Sequence, residues 1–130
     1  LGEEAGDGYP PRPTAKRCYE LGQAIRRFLD TRTERVAVIA SSSWSHFFLT
    51  EKFDRSAFDV EFDKKNLELV RIGQGSKLAE LTPEELQESG DHEFLNWMIT
   101  LGVVGDRPAE IIDALDAQSQ VSFKVFAAWE

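Results

Sequence analysis

The stretch "SSSWSH", Ser41 to His46, sets four serines and a tryptophan ahead of one of only two histidines in the chain. It follows "RVAVIA", a short apolar run rich in Val and Ile. Ser and His are poor core residues without partners. Small serines let a backbone turn tightly and let another group approach closely. An imidazole exchanges protons near neutral pH. If the apolar run is a strand, His46 lies just past its carboxyl end, where α/β sheets bind their ligands. The residues allow two readings: a group that meets substrate, or a histidine that caps a strand or hydrogen-bonds a carbonyl.

A second constellation is "GDHEFLNWMITLG", from Gly90 to Gly102. The helix expected over Asp91 to Val104 is apolar around most of its circumference, as a largely buried helix is. His92 and Glu93 open it. Either they form part of a narrow solvated stripe favoured by the helix N-terminus, or Glu93 faces a cleft and binds a cation. Adjacent residues diverge by about 100° on a helix, so His92 and Glu93 make poor joint ligands. Other chemistries lack their signatures. Ser45 adjoins His46, but no G-x-S-x-G elbow is present. "GQGSK" at 73–77 fits neither the P-loop nor the GxGxxG spacing and reads as a helix stop.

The surrounding elements must position these residues. Leu1 to Pro13 reads as an extended lead-in. Thr14 is placed to cap an amphipathic helix that runs to about Thr31, with Cys18, Leu21, Ile25, Phe28 and Leu29 at helical spacing. "RVAVIAS" reads as a strand buried on both faces. Phe47 to Phe58 reads as irregular and Val60 to Ile72 as helix. Thr82, Pro83 and Glu85 make a capping box with proline at the first helical position. "AEIIDAL" fits helix or strand. "VSFKVFAAW" alternates as a strand does, with Val121, Phe123, Val125, Ala127 and Trp129 on one face. The expected fold is α/β: a central, mainly β-sheet flanked by helices, in one domain over residues 1–130.

Composition narrows the partners. The 130 residues carry a net charge of −8. That argues against nucleic acid and anionic membranes, which need clustered Lys and Arg. A single cysteine, Cys18, fits a cytoplasmic location. No apolar run approaches the ~20 residues that span a bilayer.

Taken together, "VAVIASSSWSH" at 36–46 and "SGDHEFLNWMITLGVVGDRPAEI" at 89–111 resemble the second half of the class III extradiol ring-cleavage dioxygenases. This is the family of the protocatechuate dioxygenase catalytic (beta) subunit. "PPRPTAKRCYELGQAI" and "FKVFAAWE" also fit, so the resemblance covers nearly the whole chain. It implies a non-haem Fe(II) held by two histidines and a glutamate, and a catecholic substrate cleaved with O₂. By motif, Glu93 matches the metal-binding glutamate, and His46 matches the histidine that acts as acid and base without binding metal. His92 matches no ligand. Ser43 and Ser45 are expected near substrate. The family usually has two glycines where this chain has Ser42 and Ser43, which implies a stiffer loop or hydroxyls offered to substrate.

The family's two histidine ligands lie in an N-terminal half that has no counterpart here. The only methionine is Met98. These features lead to the expectation of a C-terminal portion of a larger domain, inactive by itself and completed by an N-terminal segment or a partner chain in a homo- or hetero-oligomer. The alternative is a non-catalytic interaction module that keeps the fold without the metal.

Overall fold

The computed structural model describes residues 11–46 and 59–130. The lead-in before Pro11 and the expected irregular segment Phe47 to Phe58 lie outside the described residues. Within them the chain is mixed α/β, with helices packed beside a two-stranded antiparallel sheet.

Helix α1 spans Ala15–Leu29, and Thr14 caps it by accepting a hydrogen bond from the Arg17 amide at 3.1 Å. Helix α2 spans Val60–Arg71, capped by Asp59. A 3-10 helix, Gly75–Glu80, follows. Helix α3, Pro83–Ser89, carries the full capping box of Thr82 and Glu85 and ends on Gly90 in the left-handed region. Helix α4, Phe94–Val104, buries seven of its 11 residues. Strands β1, Glu110–Ala117, and β2, Ser122–Ala128, pair antiparallel, with a bulge between Ile111 and Asp113. "AEIIDAL" is thus strand.

The core forms where α1 crosses α4. Gly22 and Gly102 meet there, so closely that a Cβ on Gly22 would land on the Ile99 carbonyl oxygen and one on Gly102 on the Tyr19 carbonyl oxygen. This contact sets the face that α1 buries: Ala15, Cys18, Tyr19 and Gly22. Leu21 and Phe28, expected inside from their spacing, are 50% and 62% exposed.

Two expectations are corrected. "RVAVIA" is not a buried strand: residues 35–40 are extended, and Val36 and Ile39 are 54% and 86% exposed. A strand needs a neighbour along its length, and this segment reaches β2 only at its far end. There the Trp44 amide donates to the Phe123 carbonyl at 3.2 Å, the Phe123 amide donates to the Ser45 carbonyl at 3.0 Å, and His46 bridges Ser122. Helix α4 begins at Phe94 and not at Asp91, because residues 91–93 form a turn.

Candidate functional site

The site is built on Trp44. Its indole is fully buried, 4.8 Å from the Phe94 ring and 5.3 Å from Trp97, both edge-on. This seat fixes the turn that presents the next two residues. Ser45 is also fully buried, and both its amide and its hydroxyl donate to Asp63 Oδ2 on α2. The His46 amide donates to the Gly90 carbonyl at 3.2 Å. The turn is therefore held by β2, by α2 and by the loop that leads into α4.

Glu93 meets the turn from the opposite side. It occupies the N-cap position of α4, but its side chain makes no capping bond. The carboxylate reaches the serine turn: the Ser43 amide donates to Oε2 at 3.2 Å, and the Ser42 hydroxyl donates to the Glu93 carbonyl at 2.9 Å. Trp97 Nε1 donates to the Ser42 carbonyl at 3.4 Å. The remaining carboxylate oxygen, Oε1, lies 3.5 Å from His46 Nε2. The imidazole is mostly covered and the carboxylate about half exposed, so the pair borders solvent on the Glu93 side. Ser42 and Ser43 thus hold Glu93 through one hydroxyl and one backbone amide.

Beneath the turn lies a buried carboxyl pair that the sequence reading did not single out. Asp63 and Asp91 are 0% and 1% exposed. Burial, reinforced by the Asp63 charge, pushes Asp91 up to about 9. Burial raises Asp63 to about 6, against the opposing pull of the Ser45 hydrogen bonds. Asp91, raised further than Asp63, is the member that keeps its proton at neutral pH. The pair ties α2 to the turn at residues 91–93, and so the seat of His46 to that of Glu93. An aspartate in an amphipathic helix looks solvated in sequence, and nothing local marks these two as buried.

His92 lies near enough to feel the charges of both His46 and Glu93, but its Nδ1 accepts a hydrogen bond from the Arg12 guanidinium. Burial first, then the Arg12 charge, holds its imidazole below the ordinary value, so it is neutral at pH 7.

Of the residues singled out in the sequence, the structure brings together His46, Glu93 and Ser43, and it places Ser45 behind them on Asp63. Among the described residues, no three His, Cys, Asp or Glu side chains gather in a way that could hold a metal ion. The carboxylate that the serine turn orients is that of Glu93.

Comparison with known proteins meets this geometry from another side. The family model "Catalytic LigB subunit of aromatic ring-opening dioxygenase" matches residues 8–126. A gallate dioxygenase of Pseudomonas putida is 34% identical over 101 residues, which cover 72% of this chain and 28% of that protein. The chain thus spans well under half the length of this relative. Among the described residues, no helix is long and apolar enough to cross a membrane.

Proposed function

The chain belongs to the family of the catalytic subunit of aromatic ring-opening dioxygenases, and on that premise we propose that it forms part of an extradiol, Fe(II)-dependent enzyme that opens a catecholic ring with O₂. The observation that carries this reading is the approach of His46 Nε2 to Glu93 Oε1 at 3.5 Å, with the carboxylate steadied by the Ser43 amide. Glu93 is the carboxylate ligand. The two imidazole ligands come from polypeptide beyond this sequence, because the chain has only His46 and His92. Fe(II) in such a centre would supply a seat for catecholate and O₂ side by side and a path for the substrate's electrons to reach O₂.

The chain's own residues have distinct tasks. His46 takes the proton that a catechol hydroxyl gives up on binding and returns one as the ring opens. An imidazole tied to a metal could not cycle its proton in this way. Ser43 lies at the substrate edge of the turn. Ser45 works from behind, holding His46 through Asp63.

The test uses this chain assembled with the polypeptide that supplies the imidazoles. Glu93→Ala is expected to lose iron. His46→Ala is expected to keep iron and slow ring opening by about 10²–10⁴-fold. Iron analysis paired with the absorbance of the ring-opened product separates the roles. Loss of iron from His46→Ala with retention in Glu93→Ala would reverse the assignment. An assembly that holds no iron and opens no ring would favour the non-catalytic module.

A further inference from the structure

Residues 35–41 run without a turn or bend and, among the described residues, without the hydrogen bonds of a strand. Among the described residues, no backbone amide or carbonyl of Arg35 to Ser41 has a hydrogen-bonded partner, although the segment is extended. On the other side, β2 pairs with β1 along one edge only, and its second edge meets the chain only near Phe123. The two edges converge where His46 bridges Ser122, and continuing that register would set Ala40 against Ala128. Instead they part, leaving an opening of about 710 Å³ lined by Val36, Val38, Ile39, Val125 and Ala127, with Trp97 of α4 reaching its wall.

Facing rows of unpaired amides and carbonyls require an occupant with donors and acceptors at strand spacing, which excludes a small apolar ligand. Several charges at the mouth are engaged within the chain, Glu34 by Arg32 at 2.6 Å among them. Arg26 meets Asp30 at 2.8 Å, and the Arg107 guanidinium donates to the Glu130 carbonyl at 2.8 Å. The occupant is therefore an extended segment with apolar side chains toward α4. A second copy is disfavoured, because each chain carries −8 and brings the same unpaired edge without the imidazoles.

We propose that this opening receives a β-strand of the polypeptide that completes the dioxygenase domain. The proposal rests on the function proposed above and gives it a docking geometry. The wall of the opening includes Ala40 and Trp97, and Trp97 Nε1 donates to the carbonyl of Ser42, whose hydroxyl donates to the Glu93 carbonyl. A strand lying in it ends beside that carboxylate, so the contact that completes the sheet also delivers donors to the site.

Hydrogen exchange read residue by residue tests this. In the chain alone, the amides of 36–41 are expected to exchange almost without protection, while those of Lys124 and Phe126, which face β1, are slowed. The probe is the part of the P. putida gallate dioxygenase that this chain does not match, co-expressed as a separate polypeptide. Complex formation is expected to slow the 36–41 amides by about 100-fold or more. Val38→Pro removes one amide from a segment already extended, so the variant is expected to fold and melt as the parent does yet fail to form the complex. Protection of 36–41 in the chain alone, no complex, or normal assembly of Val38→Pro would each overturn the proposal. A complex that holds iron while 36–41 exchange freely would sink the strand and spare the function; protection without iron would do the reverse.

Discussion

Asp91 carries the largest single electrostatic load in the described chain, and its consequence is a pH dependence of folding. Both buried carboxyls have folded values above the ordinary one of 3.8, Asp63 at about 6 and Asp91 at about 9. The folded chain then binds more protons than the unfolded chain, so this stabilising contribution is complete below about pH 4. It weakens as pH rises, with both groups acting up to about 6 and Asp91 alone up to about 9. The limiting slope is about 1.4 kcal/mol per pH unit for each proton. Asp91→Asn keeps a donor toward Asp63 and removes the titration. The variant is expected to lose less stability than the parent between pH 6 and 9 and to be the more stable of the two at pH 9. Urea unfolding at pH 5, 7 and 9 measures this, and an unchanged slope would show that Asp91 is ionised in the folded state. At this scale the sequence revealed His46 and Glu93 because their types are rare and their context unusual. It hid Asp63 and Asp91, because burial of an aspartate depends on distant elements closing over it.

The crossing of α1 and α4 shows what element-level reasoning sees and misses. Thr14, Thr82 and Glu85 were legible as caps, since a cap involves residues a few positions apart. The face of α1 was not, because apolar spacing nominates Leu21 and Phe28 while the contact uses glycines. Gly102→Ala is expected to force the helices apart, since its Cβ would sit 2.9 Å from Gly22 Cα and against the Tyr19 carbonyl. Overpacking of this kind typically costs about 1–3 kcal/mol. That is a large share of the roughly 5–15 kcal/mol that holds a domain together. Chemical denaturation should show a lowered midpoint with an unchanged m-value. Gly105→Ala is a useful contrast, since no atom lies within 4 Å of a Cβ there and any loss would come from its φ of 67°. If Gly102→Ala were as stable as the parent, the close crossing would be wrong. "RVAVIA" failed as a strand for a related reason: composition gives a segment the capacity to pair, and only a neighbour gives it the pairing.

For the whole molecule, the resemblance carried by two separated motifs proved sound at the level of family, and mixed α/β architecture follows from the alternation of helical and strand-like periods. Charge alone suggests an avid cation binder, for −8 attracts any divalent ion. Net charge, however, gives a diffuse and salt-screened attraction, whereas retention needs several donors fixed at coordination distance. The described donors near the turn are one half-exposed carboxylate and the His46 imidazole beside it, while the His92 ring has turned to Arg12. The chain alone, loaded anaerobically with Fe(II) and desalted, is therefore expected to retain well below one iron per molecule. Raising the salt before desalting should remove most of what remains, as it does for ions held by charge alone. Tight retention of one iron per chain through that wash would mean that this sequence holds a complete site, and the need for outside imidazoles would fall.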